Sequence, residues 1–283
     1  MEVPARPYSK IKGTEPSVTT ILHLLPKPGL PWAAARETAL FAVLHQDRWT
    51  HLDDEKAVDI LRKHHRGIWD GRMAMGTLCH KVNELYCDGE TVDLEALINA
   101  TIAQDRNARM WAEQNRDDLV DQCLGYVLGL EKWWEDFDPD VLAAEVVVRY
   151  PGKYIGQTDL RVRIDDQHWL LDIKTTAKQD EGSGIYADSW TAQLNAYAFA
   201  PETVTYEAYV ERERTKVREV STGPWSPPDR IGVIHLRGDE GYSFFELGLS
   251  SEAHEVFLQM ADVYRWLGTV AKEPPVVRPK GGA

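Results

Sequence analysis

One stretch restricts this chain more than any other: Gly156 to Thr176, GQTDLRVRIDDQHWLLDIKTT. Two runs of alternating character flank Asp165-Asp166. Strand side chains alternate between faces, so Leu160, Val162 and Ile164 share one side, as do Trp169, Leu171 and Ile173. Asp159, Arg161, Arg163, Asp172 and Lys174 take the other. A two-residue turn at Asp165-Asp166 makes the runs a β-hairpin with Leu160 opposite Leu171 and Val162 opposite Trp169. The same register sets Asp159 opposite Asp172, about 5 Å apart. Asp-Gly or Asn-Gly suits such a turn better than Asp-Asp, so apolar packing on one face and chemistry on the other carry the register.

Two carboxylates that close repel each other unless a proton or a cation lies between them. Oxygen ligands at that spacing suit a hard divalent ion such as magnesium or manganese. Lys174 follows Asp172 on the same face, where it can orient a water or stabilise phosphate charge. Such a set serves metal-assisted phosphodiester hydrolysis. On the hairpin alone, a solvated face of mixed charge explains the pattern equally well.

The rest of the chain bears on that choice. Its 283 residues are enough for a full core, as one large domain or one domain with a helical addition. Three cysteines, Cys79, Cys87 and Cys123, form no paired framework and fit a reducing compartment. The formal charge of −13 argues against surface-wide coating of nucleic acid, while leaving room for a narrow basic groove. No apolar run reaches the length of a membrane span and no signal-peptide pattern opens the chain, so no membrane partner is expected.

In order, Ser17 to Leu22 reads as a short capped helix ended by Pro26, and Pro31 to His45 as an Ala-rich helix. Asp53 to His65 is a third helix, closing on Lys63, His64, His65 and Arg66, cations that suit a helix C-terminus or a phosphate. Gly76 to about Cys87 is a fourth, with His80 and Glu84 four apart on one face. Val92 to Gln104 and Asp117 to Trp134 add two more. Ala143 to Tyr150 reads as one strand carrying Glu145. After the hairpin come a polar loop from Gln179 to Ile185 and a helix opened by Asp188-Ser189 and running through Ala200, with Gln193 and Tyr197 one turn apart. Two further hairpins follow, Val204–Val210 with Val217–Val220 and Ile231–Arg237 with Tyr242–Leu249, and then a long helix from Ser251 to Ala271.

Taken together, His80, Asp159, Asp172-Ile173-Lys174 and Gln193-x-x-x-Tyr197 resemble the RecB-type branch of the PD-(D/E)XK nuclease superfamily, which includes lambda-exonuclease-like proteins. The match covers roughly residues 76 to 200. The opening PSVTTILHLLPKPGLPWAA also looks like that of stand-alone exonucleases of actinobacterial phages. The resemblance implies an α/β, restriction-endonuclease-like core, a central mixed sheet flanked by helices. Residues 1–75 would be an N-terminal helical extension packed on the core, 76–272 the nuclease core and 273–283 a flexible tail.

It further implies Asp159, Asp172, His80 and the Ile173 carbonyl as ligands of one or two magnesium or manganese ions. Lys174 would position the attacking water and steady developing charge. Gln193 and Tyr197 would support the lysine side of the site, Glu145 would be a supporting carboxylate, and Glu84 would orient His80. Iron-sulfur members of the branch place cysteines near the C-terminus. None follows Cys123 here, so no cluster is expected.

The implied activity is that of a DNA exonuclease working from ends in phage or bacterial recombination and repair, inside the host cytoplasm. Its implied partners are linear duplex or single-stranded DNA and a single-strand annealing or recombination protein; the oligomeric state stays open. A structure-selective endonuclease of the same fold and a catalytically silent DNA-binding module are the alternatives. A zinc hydrolase would need two or three histidine ligands, and only His80 is placed for it.

Overall fold

In the computed structural model, residues 15–27, 29–104, 106–176, 185–211 and 214–270 are described. The chain is α/β. Helices α1 (Val18–Ile21), α2 (Gly29–Leu44), α3 (Asp54–Cys87), α4 (Leu94–Gln104) and α5 (Arg106–Phe137) precede every strand. Then come β1 (Asp140–Ala144), β2 (Val147–Tyr150), β3 (Tyr154–Gln157), β4 (Leu160–Ile164) and β5 (Gln167–Thr176). After α6 (Ala187–Ala198) follow β6 (Glu202–Glu211), β7 (Arg214–Pro224), β8 (Arg230–Arg237), β9 (Tyr242–Leu247) and α7 (Ser251–Thr269). Among the described residues, no helix is long and apolar enough to cross a membrane.

The strands form two sheets. A mixed five-stranded sheet has the order β1-β4-β5-β8-β9, with β5 and β8 parallel and the other neighbours antiparallel. A four-stranded antiparallel sheet has the order β3-β2-β6-β7. The β4–β5 hairpin takes the expected register, Leu160 with Leu171 and Val162 with Trp169. Both Asp165 and Asp166 adopt positive φ, 47° and 59°. That is the conformation a tight hairpin turn demands, and Asp tolerates it better than most residues.

Helices cover both faces of the larger sheet. Leu160, Val162, Leu171, Ile173, Ile234 and Leu236 pack against α3 and α5, around Leu78, Val82, Leu130 and Trp133. Leu170, Ile231 and Val233 pack the other way, against α1, α6 and α7, around Ile21, Leu194 and Phe257. On that side α6 covers Leu170 and Asp172, while Arg163 further along the hairpin stays exposed. Central strand β5 is buried on both sides, as parallel pairing to β8 requires.

Three local expectations change. The two helices expected at 53–65 and 76–87 are one helix, α3, capped by Asp53, whose Oδ1 accepts from Lys56 N at 3.0 Å. No proline lies between them, and isolated glycines do not stop a helix. The boundary at 75 consequently falls inside α3. The strand expected from Ala143 to Tyr150 is two strands in different sheets, parted at Glu145, whose φ is 53°. Helix α6 starts at Ala187 and has no side-chain cap; Asp188 lies inside its first turn and accepts from Ser189 N. Helix α1 is part of the core: Val18 and Ile21 are fully buried, and Ser17 bridges Ile155 of β3. Most of the 179–185 loop and the 273–283 tail lie outside the described residues.

Candidate metal centre

The site forms where α3, the β1–β2 break, the start of β4 and the end of β5 meet. Asp159 sits in a bend just before β4, so its side chain is released from the sheet while staying beside Asp172's strand. Its Oδ2 accepts from the Ile173 backbone N–H at 2.7 Å, which fixes the carboxylate. Its Oδ1 lies 3.4 Å from Nδ1 of His80, delivered by α3. Glu145 completes a cluster: His80, Glu145 and Asp159 each offer a ligand atom within 4.8 Å of the others. The positive φ that splits β1 from β2 aims Glu145 inward, and Gln157 Nε2 donates to its Oε2 at 2.7 Å. Thus a residue expected in support stands among the three closest.

Asp172 lies deeper, 2% exposed. Its Oδ1 accepts from Gln193 Nε2 at 2.9 Å, and its Oδ2 lies 2.5 Å from the Lys174 ammonium. Gln193 Nε2 also donates to the Tyr197 hydroxyl at 3.2 Å, so one amide ties α6 to the strand through Asp172 and to its own next turn through Tyr197. Burial pushes the Asp172 carboxyl up to about 6; the Lys174 ammonium opposes this and the Asp159 carboxylate adds to it. Asp172 thus sits between the repulsion of the Asp159 carboxylate and the attraction of the Lys174 ammonium and His80. The donor set, three carboxylates and one imidazole, fits a hard or borderline divalent cation.

Of the residues singled out in the sequence, His80, Asp159, Asp172, Ile173, Lys174, Gln193, Tyr197 and Glu145 converge here. Ile173 contributes its backbone to the site while its side chain lies in the core. Glu84 pairs with Lys81 at 2.7 Å on the same helix. Gln157 was the residue missed. Its role depends on Glu145 turning inward, and that turn rests on a left-handed backbone angle with no signature in a run of Ala, Glu and Val.

Fold and site thus define an α/β protein with an acidic, histidine-containing cluster at the margin of its main sheet. No protein-family model matches the chain, and comparison with curated proteins finds no match. Among solved structures, SSO0001 is similar to it with a TM-score of 0.31 and 14% identity, over 69% of this chain and 86% of that one. A likeness at that level carries no argument about fold or function.

Proposed function

We propose that the chain is a divalent-metal-dependent DNA exonuclease of the PD-(D/E)XK type, RecB-like in its histidine ligand and Gln-Tyr helix. One observation carries the reading: His80 and Asp159 approach to 3.4 Å beside Glu145, while Asp172 pairs with Lys174 on the next strand. A magnesium or manganese ion would be held by His80, Glu145, Asp159 and Asp172, with the Ile173 carbonyl. When bound, it would supply Lewis-acid stabilisation of phosphate charge and a water of lowered pKa. Lys174, released from Asp172, would hold that water and meet the charge developing on the phosphoryl oxygens. Gln193 and Tyr197 would keep Asp172 oriented throughout.

The test is digestion of linear duplex DNA, labelled separately at each 5′ and 3′ end, with magnesium or manganese. Degradation from ends is expected, with loss in EDTA and in Asp172→Ala. Activity that survives in Asp172→Ala overturns the assignment. Cleavage of circular single-stranded DNA would move it to the endonuclease alternative.

A further inference from the structure

The outer half of α3 has a face that the metal centre does not use. An α-helix turns once every 3.6 residues, so residues eighteen apart share a face after five turns, about 27 Å along the axis. Counting back from His80, the same face carries Thr77, Met73, Trp69, Arg66 and Arg62. Met73 is 64% exposed and the Arg62 side chain 69%; Arg66 and Thr77 are also exposed. Trp69 is half-buried, steadied edge-on by the His65 ring at 5.0 Å. Helix α2 packs on a different side of α3, where Phe41 stacks on His64 at 3.8 Å, and leaves this face open.

The charge along it is positive within a protein of net charge −13. Arg62 and Lys63 share one carboxylate, Asp59, at 3.0 and 2.5 Å. With Arg66, the stretch 62–66 carries three cations against that single anion. A row of exposed cations, then an aromatic and a thioether, running straight to an acidic cluster, matches one ligand chemistry. Phosphodiesters meet the arginines, and unpaired bases stack on the apolar pair. A duplex would offer its backbone alone and leave Trp69 and Met73 without partners.

We propose that this face of α3 is a track for single-stranded DNA, delivering the strand to His80. The proposal rests on the nuclease reading of the site and names the form in which substrate arrives. It is tested with full-length protein in EDTA, by anisotropy of a labelled oligothymidylate and of a labelled duplex hairpin across a salt series. Arg62→Ala/Arg66→Ala should lose about tenfold in single-strand affinity, and its salt slope should flatten by about 1.4, the value for two phosphates. Trp69→Ala should lose about tenfold, with Trp69→Phe restoring most of it. Arg218→Ala, on β7, is the control. Wild-type affinity and salt slope in the double variant overturn the track, and so does an equal loss on the duplex hairpin. Because no turnover is needed, wild-type protein that binds the strand through this face but never cleaves DNA with either metal would overturn the nuclease reading and leave the track standing.

Discussion

Asp172 shows what a single side chain is asked to tolerate. Unfolded, its carboxyl titrates at an ordinary 3.8; folded, at about 6. Between those values the folded state holds more protons, so stability falls as pH rises, and above about 6 the whole cost is present, up to about 3 kcal/mol. Asp172→Asn, studied without metal, should therefore melt higher than wild type at neutral pH. The gap should close below about pH 4. An advantage that grows toward acid would contradict this account. Glu145 is the companion case, since its left-handed backbone costs on the order of 1–2 kcal/mol. Glu145→Gly should leave metal-free stability within about 1 kcal/mol of wild type, as relief of strain offsets glycine's added chain entropy. The manganese-induced rise in Tm should nevertheless shrink. At this scale the sequence was legible where side-chain type carries the chemistry, as at Asp159, Asp172 and Lys174. It was not legible where one backbone angle decides, as at Glu145 and its partner Gln157.

Among the elements, the tie between α1, β3 and α6 is the most exposed to a small change. A Cβ at Gly156 would run into the Tyr197 ring and come within 3.2 Å of Val18 Cγ2. Gly156→Ala should therefore destabilise by about 1–3 kcal/mol, read as a shift of the denaturation midpoint. It should also displace Tyr197 from Gln193 and, on the proposed nuclease reading, slow DNA cleavage, with the loss larger than the stability change explains. Ser17→Ala, which removes the cap on Thr20 N, should cost about 1 kcal/mol and leave cleavage intact. Hairpin β4–β5 was readable because alternation and turn agree. The union of two helices into α3 was hidden, because Lys63 to Arg66 resembles a helix end and only tertiary packing at Ala74, Met75 and Leu78 carries the helix onward. The split of β1 from β2 was hidden too, since AAEVVVRY alternates no differently on either side of the break.

For the whole molecule, metal and fold should be linked. Manganese at about 100 times its Kd should stabilise the wild type by about 2.7 kcal/mol. Asp159→Asn should lose most of that gain in thermal melts. An undiminished shift in the variant would place the ion elsewhere. The helices before the hairpin were legible from periodicity and the α/β class from the resemblance, whereas the division of strands into two sheets depends on pairings that composition does not encode.

Helix α3 also has a mechanical side. It is gripped near one end, where Ala74, Met75, Leu78, Cys79 and Val82 are all 6% exposed or less, and its outer end lies about 36 Å from Leu78. His80 lies within that grip, about 3 Å along the axis from Leu78. A rod pivoting there magnifies displacement outward and damps it inward, by about twelve to one for a given tilt. A tilt that moved the far tip by several ångströms would move the imidazole by a few tenths, so reach and aim are set by one stiff shaft and the position of its fulcrum.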